Sequence, residues 1–412
     1  MRELSRILAD EISRNGPITF ARFMAIALYH PTLGYYAGGG QGREPVGWEG
    51  DYFTSGDLHP LWGESIARQL HQMWELLGRP GRFDVVEPGA GRGLLARDVW
   101  GWALRNAPEW AATLHYTLAD RAPKDTPLRM ARETRLATEL ARLNVPEGAT
   151  RWADDLDAAL PAEGISGCVI SNELADALPV HIVEKQGDSL QEVYVDVDLT
   201  RGRFVERLGP PSAPAVASYL EAFRVPWREF ADGWRAEVCL EARAWMRRVA
   251  GGVRRGFVLT IDYGDTARRL YTRHRRRGTL AVYSQHQFGD RPLAQPGTQD
   301  LTAHVNFSAL IQTGREHGLR LAGLTTQATF LSALGLRERI AAYSVQLVPT
   351  TGGGGVAGDS QLAYLRRISQ RNALNVLLNP AGLGGFKVLI QQRGVPGSSR
   401  LLLGLRSPAS RV

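Results

Sequence analysis

Three glycines and an acid lie within one short stretch of the chain and could together bind a nucleotide-shaped cofactor. The sequence FDVVEPGAGRGLL, residues 83–95, ends an apolar strand on Glu87 and continues through Gly89, Gly91 and Gly93. Glycines directly after a buried parallel strand let the backbone turn sharply and approach a ligand closely. The helix that follows would point its N-terminus at the same place. The stretch therefore predicts a cofactor-binding loop.

The spacing of the glycines and the position of the acid favour one class of cofactor. In the dinucleotide pattern GxGxxG the third glycine comes one residue later, where this chain has Leu94. A carboxylate at Glu87 would repel a pyrophosphate, but it suits a cofactor that carries a sulfonium and an ammonium group. We therefore predict S-adenosylmethionine as the cofactor, and a glycine-rich turn without any ligand is the alternative.

Acids that follow the next two predicted strands could complete the cofactor site. In a doubly wound sheet the ligand lies outside the carboxyl ends of the strands. Asp120 ends the strand at 114–120, where its carboxylate could accept both ribose hydroxyls or could simply be a surface acid. The strand at 149–152 ends in Trp152 and is followed by Asp154 and Asp155, so either an aspartate edge or the tryptophan face could meet the adenine, although Asp155 could equally begin a helix.

A group of polar residues follows the fourth predicted strand. The sequence SNELADALP, residues 171–179, places Asn172, Glu173 and Asp176 beside the position that a transferred methyl group would occupy. Polar groups that leave a buried strand end are costly unless they are used or satisfied. We predict that these three side chains are catalytic. The alternative is that Asn172 or Asp176 caps a short helix ended by Pro179.

The elements that must position these residues alternate between strand and helix from residue 83 onward, which is typical of a parallel sheet with helices on both faces. The strands are predicted at 83–87, 114–120, 149–152, 167–172, 256–264, 318–326 and 385–391. The helices are predicted at 1–14, 19–28, 60–77, 93–106, 126–142, 154–160 and 234–250.

The fold predicted from this pattern is α/β, with the seven-stranded Rossmann-like sheet of a class I methyltransferase. Residues 1–80 form an N-terminal helical extension or lid, and residues 81–412 form the methyltransferase domain. Turn signals between Val180 and Gly209 break the alternation and predict three antiparallel strands. We expect this inserted β meander, within residues 180–233, to lie on the substrate side.

Composition excludes several classes of function. The net charge of +7 would favour nucleic acid, but the chain has only three lysines and no aromatic-and-basic motif, so arginine bias explains the charge and a nucleic-acid substrate is disfavoured. No apolar run approaches the ~18 residues of a membrane span. Two cysteines in apparent core segments argue against a metal site. The acidic N-terminal helix is unlike a targeting segment and predicts a cytoplasmic protein.

Several long stretches of the chain resemble one family, the MidA-type methyltransferases, which includes the mitochondrial complex I assembly methyltransferase. They span nearly the whole chain in family order. The matching stretches are GPITFARFMAIALYHPTLGYY (16–36), GDYFTSGDLHPLWGE (50–64), VEPGAGRG (86–93), SNELADALPV (171–180), VLTIDYGD (258–265), GTLAVYSQH (278–286), PGTQDLTAHVNFSAL (296–310) and FKVLI (386–390).

The resemblance implies a class I methyltransferase that uses S-adenosylmethionine and methylates an arginine of a protein. It also implies that Thr54, Ser55 and the loop from Gly89 through Ala90 to Gly93 line the cofactor. Asn172, Glu173 and Asp176 would then lie nearest the acceptor. The chain departs from the family pattern at Ala90, at Gly56 and Asp57, and at Leu174 and Ala175, where aromatic residues are usual. The last departure bears on the substrate more than on the cofactor.

An arginine acceptor needs carboxylates, because its guanidinium stays protonated in water and can be held bidentately. Glu173 and Asp176 are the predicted pair, with Asp51, Glu64 and Asp262 as further candidates. Two other functions remain open from the sequence: an assembly or scaffolding factor with a stabilising cofactor pocket, and a small-molecule methyltransferase. The sequence carries no signal for an oligomeric state.

Overall fold

The computed structural model describes residues 3–39, 44–47, 50–51, 53–284, 287–345, 370–395 and 402–406. Its strands, in chain order, are β1 (Ile18–Thr19), β2 (Phe83–Pro88), β3 (Leu114–Ala119), β4 (Thr150–Ala153), β5 (Ile165–Asn172), β6 (His181–Gln186), β7 (Ser189–Asp198), β8 (Arg203–Gly209), β9 (Arg235–Val238), β10 (Val253–Asp262), β11 (Gly264–Asp265), β12 (Ala281–Ser284), β13 (Gln287–Gly289), β14 (Asp300–Thr302), β15 (Val305–Asn306), β16 (Arg320–Thr326) and β17 (Lys387–Arg393).

The α-helices are α1 (Glu3–Asn15), α2 (Phe20–Tyr29), α3 (Ser55–Leu58), α4 (Pro60–Leu76), α5 (Leu94–Asn106), α6 (Pro108–Ala111), α7 (Pro127–Arg142), α8 (Leu156–Ala159), α9 (Pro214–Ala222), α10 (Leu240–Gly252), α11 (Ala267–Leu270), α12 (Phe307–Glu316), α13 (Gln327–Ala333) and α14 (Leu336–Val345). A further helical segment covers 370–378. Among the helices of the described segments, none is both long and apolar enough to cross a bilayer.

The main sheet has seven strands in the order β16-β17-β10-β5-β2-β3-β4. Strand β17 runs antiparallel to both of its neighbours, whereas β10, β5, β2, β3 and β4 pair in parallel. Such strands read as nearly continuous apolar runs because helices bury both faces, and two separate clusters of buried side chains cover this sheet. The predicted seven-stranded Rossmann-like sheet is confirmed.

A second, five-stranded sheet is built around the inserted segment, with β1, β7, β6 and β9 in order and β8 paired to β7. The three antiparallel strands predicted between Val180 and Gly209 are confirmed as β6, β7 and β8. The predicted helix at 234–250 was wrong at its start. Its first residues form β9, because Ala236 and Val238 alternate into the core and their backbone pairs with β6.

The N-terminal helices divide between the two sheets. Helices α1 and α2 bury Leu8 and Phe23 in one cluster with Val193 and Val195 of the inserted sheet. Helix α4 instead packs on the main sheet and shares a cluster with α5, in which Ile66 is fully buried. The segment predicted as one extension over 1–80 therefore supports two different cores. How these units divide into domains stays a prediction.

Two small sheets connect β10 to α12 and were not predicted. Strands β11 and β15 pair in parallel, and β12 pairs with both β13 and β14. Val282 and Leu301 of β12 and β14 are buried in the same cluster as α1 and α2. This packing fixes β14, and with it Asp300, beside the N-terminal helices.

Candidate active site

A cavity of about 250 Å³ opens at the carboxyl ends of β2, β3, β4 and β5. All four strand ends predicted to meet there contribute to its wall. Eight of the predicted residues line it: Thr54, Glu87, Gly89, Ala90, Gly91, Asp120, Asn172 and Glu173. Four others do not: Ser55, Gly93, Asp154 and Asp176. Neither Asp51 nor Glu64 lines it, and Glu64 pairs with Arg105 and Arg339.

The glycine loop bends with all three glycines in left-handed conformations, with φ of +73° at Gly89, +54° at Gly91 and +73° at Gly93. A Cβ atom at Gly91 would meet no atom within 4 Å, so its backbone borders open space in the cavity wall. Gly93 has a different role, because a Cβ there would lie 2.6 Å from Leu136. It begins α5 and allows that helix to pack closely. These positive φ angles explain why glycine is required at each turn.

Glu87 ends β2 as a buried acid on the cavity wall. Its Oε2 accepts a hydrogen bond of 2.7 Å from the Tyr116 hydroxyl. Burial raises the pKa of Glu87 to about 8, although the bond from Tyr116 opposes the rise. A buried carboxyl without a positive neighbour takes up a proton, and a bound cation would favour its ionised form. Glu87 therefore suits a cationic ligand, as its position in the sequence predicts.

Asp120 follows β3 and faces the cavity from within an ion-pair network. Its Oδ2 lies 3.1 Å from Nη1 of the buried Arg132, and its Oδ1 accepts the Ala122 amide at 3.0 Å. Arg132 also binds Glu44, at 2.6 Å, so the N-terminal segment is tied to this loop. The network fixes the Asp120 carboxylate at the cavity wall, and its contact with the ribose stays a prediction.

The turn after β4 contributes a different aspartate from the one predicted. Asp154 is exposed and does not line the cavity, whereas Asp155 does. Asp155 also caps α8 by accepting the Ala158 amide at 2.8 Å. The face of Trp152 is covered by the guanidinium of Arg129, 4.5 Å from the ring centroid. The adenine contact predicted for Asp154 stays a prediction, and Asp155 is better placed for it.

Glu173 lies at the end of β5 in a conformation that few side chains adopt. Its φ is +48°, and non-glycine residues held in this region cluster at functional sites. Its Oε1 accepts the Ser55 amide at 2.9 Å and the Asn172 side-chain amide at 3.0 Å. Both of these donors reach the same oxygen, and a side-chain hydrogen bond from Ser55 also favours the ionised form. Burial raises the pKa of Glu173 to about 7.

Asp176 follows Glu173 in the same turn and does not line the cavity. Its Oδ2 accepts a 2.5 Å hydrogen bond from the Tyr263 hydroxyl. The fully buried Asp262 accepts the Ala175 and Asp176 amides at 2.9 and 3.2 Å, so it shapes the turn and touches no cavity space. Burial raises the pKa of Asp176 to about 6, and burial with the neighbouring acids raises the pKa of Asp262 well above its usual range.

The cavity fits S-adenosylmethionine in its shape and in its charges. The glycine loop leaves open space, Glu87 is an acid with no cation beside it in the described residues, and Asp120 is fixed at the next strand end. The Oδ1 atom of Asn172 is buried without a hydrogen-bond partner among those residues, so it can accept from a bound donor. Within the same segments, no group of three possible ligands is arranged to hold a metal ion.

Comparison with known families agrees with this geometry. The family model Methyltransf_28, which describes S-adenosyl-L-methionine-dependent methyltransferases, matches residues 65–325. The match covers the glycine loop and all the strands of the main sheet up to β16. The chain belongs to this family. It is an S-adenosylmethionine-dependent methyltransferase, and the predictions of fold, cofactor and enzyme class are confirmed.

Individual relatives extend the similarity over most of the methyltransferase. It is 31% identical to the mouse "Protein arginine methyltransferase NDUFAF7, mitochondrial" over 81% of this chain and 74% of the relative. Identity to the human protein of the same name is 30%, with the same coverage. A solved superfamily protein from Burkholderia thailandensis, bound to S-adenosyl-homocysteine, is 30% identical with a TM-score of 0.81 and covers 98% of this chain and 95% of its own.

The N-terminal segment closes the methyltransferase site through contacts that the sequence did not reveal. Thr54 and Asp57 form a capping box at α3. Asp57 also pairs with Arg92 of the glycine loop. Ser55 points inward, where its hydroxyl lies 3.2 Å from the Gln327 side-chain amide. Asp57 stands at one of the departures from the family pattern, and its ion pair with Arg92 gives that departure a structural role.

Aromatic residues of the N-terminal segment form a second wall that was also missed. Tyr29 and Tyr36 line the cavity and stack with ring centroids 5.4 Å apart. The Tyr36 hydroxyl donates to Asp300 at 3.0 Å, and the Tyr29 hydroxyl donates to the Ala177 carbonyl at 2.8 Å. The tyrosine-rich stretch YHPTLGYY was a signal for this wall. Its partners are far away in the sequence, and only the fold brings them together.

Proposed function

We propose that this methyltransferase N-methylates an arginine side chain of a protein. One observation carries the proposal: Glu173, Asp176 and Asp262 are clustered acids whose pKa values are raised by burial, and none of the three has an ion-pair partner among the described residues. An uncompensated group of buried acids is unfavourable, and a cation bound beside it recovers part of the desolvation cost. A guanidinium is such a cation, and it offers several donors.

The names of the curated relatives support the same acceptor. The mouse and human proteins are both named protein arginine methyltransferases. The tyrosine wall adds a second feature suited to an arginine, since a guanidinium also stacks on aromatic faces. The guanidinium of Arg121 lies 5.4 Å from the Tyr29 ring, so one face of this wall already holds a guanidinium of the chain itself within stacking range.

Glu173 is the residue that we assign to proton removal. When bound, S-adenosylmethionine supplies an electrophilic methyl group. The Ser55 and Asn172 donors both use Oε1 of Glu173, so Oε2 is the atom left to take a proton from the acceptor nitrogen. A pKa of about 7 suits a general base at neutral pH. Asp176 and Asp262 do not line the cavity, and they act by keeping its potential negative and by holding the turn that carries Glu173.

Product analysis tests directly whether arginine is the acceptor. Purified enzyme is incubated with cofactor carrying a tritiated methyl group and a cell lysate, and the labelled proteins are hydrolysed for amino-acid analysis. We expect methylarginine in one or a few proteins. A Gly91→Val variant, which fills the open space at the loop, is the matched control and should give no label.

The other possible results point to the two alternatives. Label on lysine or histidine would contradict the arginine proposal, and label confined to the small-molecule fraction would indicate a metabolite methyltransferase. If cofactor binds normally in calorimetry but no product is labelled, an assembly factor with a stabilising pocket becomes the better explanation.

The cellular location and the protein partner stay proposals. The acidic α1 favours the cytoplasm, whereas the curated relatives are named mitochondrial. Cell fractionation with an antibody to the full chain decides between them.

A further inference from the structure

A second cavity lies between the inserted sheet and the segment that follows β10, and it shares no lining residue with the cofactor cavity. Its volume is about 450 Å³, and its walls come from two stretches, 223–230 and 268–274. Phe223, Phe230 and Tyr271 supply rings to these walls. The cavity can therefore take an apolar or aromatic group.

Its charged residues all have the same sign. Arg224, Arg268, Arg273 and His274 contribute to the walls and are exposed, and no carboxylate does so. Within the described part of the chain, none of the three arginines makes an ion pair, in contrast to exposed arginines such as Arg22, Arg79 and Arg207. The cavity thus combines an apolar floor with a rim of uncompensated positive charge.

Arg224 occupies a backbone position that normally belongs to glycine. Helix α9 ends before it, the Arg224 amide donates to the Glu221 carbonyl at 2.8 Å, and the Val225 amide donates to the Leu220 carbonyl at 2.9 Å. These bonds form a helix C-terminal cap, and Arg224 adopts φ of +55°. A side chain in this conformation costs about 1 kcal/mol. Residues held in such strain are typical of ligand sites.

The walls of the cavity are fixed by contacts outside it. Phe230 packs edge-on against Trp234 at 4.9 Å, and the Trp234 indole donates to the Thr272 carbonyl at 3.0 Å. In the basic run 273–277, Arg275 donates to the Leu270 carbonyl and so supports the chain from behind, while Arg273 faces the cavity. The basic run 273–277 therefore includes one arginine that supports the chain and one that lines the cavity.

We propose that this second cavity docks an acidic segment of a partner protein, with one aromatic or aliphatic side chain of that segment on the apolar floor. The arginines would pair with carboxylates on both sides of the anchor. A membrane surface is disfavoured because Phe223 and Phe230 are half-buried and Tyr271 is buried, so these rings cannot insert. Single-stranded nucleic acid is disfavoured because base stacking needs exposed ring faces.

Peptide binding to the full-length protein tests the proposal without cofactor. The probe is a fluorescein-labelled Asp-Glu-Trp-Glu-Asp peptide, followed by fluorescence anisotropy. We expect Arg224→Gly, Arg268→Gln and Arg273→Gln each to weaken binding about two- to fivefold, and the triple variant to weaken it more than about tenfold. Arg224→Gly is the sharpest variant, because glycine relieves the backbone strain and the melting temperature should hold or rise. Arg6→Gln, which removes one exposed charge from α1, is the matched control.

Three results would overturn the proposal. The amide peptide Asn-Gln-Trp-Gln-Asn could bind as tightly, the arginine variants could bind the acidic peptide like the unchanged protein, or only phosphatidylglycerol vesicles or oligothymidylate could bind. Since no methyl transfer enters the measurement, failure here and failure of the arginine-methylation proposal are separate outcomes.

Discussion

Replacing Glu173 with glutamine separates a proton acceptor from a structural acid. Both side chains have nearly the same shape, and a glutamine oxygen can still accept the Ser55 amide that now binds Oε1 at 2.9 Å. The variant also removes an acid whose pKa is raised to about 7, so it removes a buried charge above that pH. We therefore expect its melting temperature at pH 8 to match or exceed that of the unchanged enzyme.

The activity of this variant should behave in the opposite way. Loss of a positioned general base typically lowers the rate about 10²- to 10⁴-fold. In the unchanged enzyme only ionised Glu173 can accept a proton, so the turnover rate should rise about tenfold per pH unit below pH 7 and level off above it. Glu173→Gln should lose this rise of the turnover rate with pH. The assay measures the initial rate of methyl transfer from saturating tritiated cofactor. It covers roughly pH 5.5 to pH 9, a range that brackets the pKa of about 7.

Glu64→Gln is the matched control, since it makes the same chemical change outside the cavity. Glu64 pairs with Arg105 and Arg339, and its loss should leave the pH profile intact. Glu173 is not the base if the turnover rate of Glu173→Gln still rises with pH near pH 7 and stays within about threefold of the rate of the unchanged enzyme. Loss of one ordinary hydrogen bond would explain so small a change. Glu173 would then be a structural residue at the strand end.

Three further predictions test the cofactor side. Folded Glu87, with a pKa of about 8, keeps a proton that the unfolded chain releases near 4.5, so its contribution should make the protein less stable as pH rises between these two values. Glu87→Gln should therefore flatten the plot of melting temperature against pH. An unchanged slope would contradict a buried, protonated Glu87. Gly91→Val should weaken cofactor binding at least about tenfold in calorimetry while costing only about 1–2 kcal/mol of stability, because open space surrounds it. Gly93→Ala should instead lower stability more and cofactor affinity less in the same two assays. Its Cβ would lie 2.6 Å from Leu136, and the overpacking adds about 1–3 kcal/mol to the loss of stability.

The parts of the fold that could be predicted depend on contacts between neighbours in the sequence. The strand, glycine turn and helix at 83–106 follow from apolar residues and left-handed turns that are local properties, and the structure has them at Phe83–Pro88 and Leu94–Asn106. Strand β9 was missed because its four residues precede a real helix directly, and only pairing with β6 makes them extended. Local propensity is a weak guide where a distant strand supplies the hydrogen bonds.

In the candidate site, too, the residues with a local sequence signal could be predicted and those that depend on distant contacts could not. Residues at strand ends could be predicted because parallel strands present their carboxyl ends at one edge, and seven of the predicted residues at or after strand ends line the cavity. The cavity's other walls come from α2 and the segment near residue 36, and Tyr36 binds Asp300 across 264 positions of the chain. Nothing in the spacing of either residue points to the other. The small sheet that carries Asp300 had no signal of its own, so this contact required the folded chain.

The departures from the family pattern beside the acceptor acquire a different meaning in the structure. Leu174 stands where an aromatic residue is usual, and its side chain packs over the glycine loop, 2.9 Å from where a Cβ at Gly89 would lie. An aromatic ring at 174 would need that space or would turn into the cavity. In this structure Tyr29 and Tyr36 supply aromatic rings to the same cavity, and the Tyr29 hydroxyl donates to the Ala177 carbonyl in the turn that follows Leu174. We expect Leu174 to set how far an acceptor side chain can reach toward the cofactor in the proposed site.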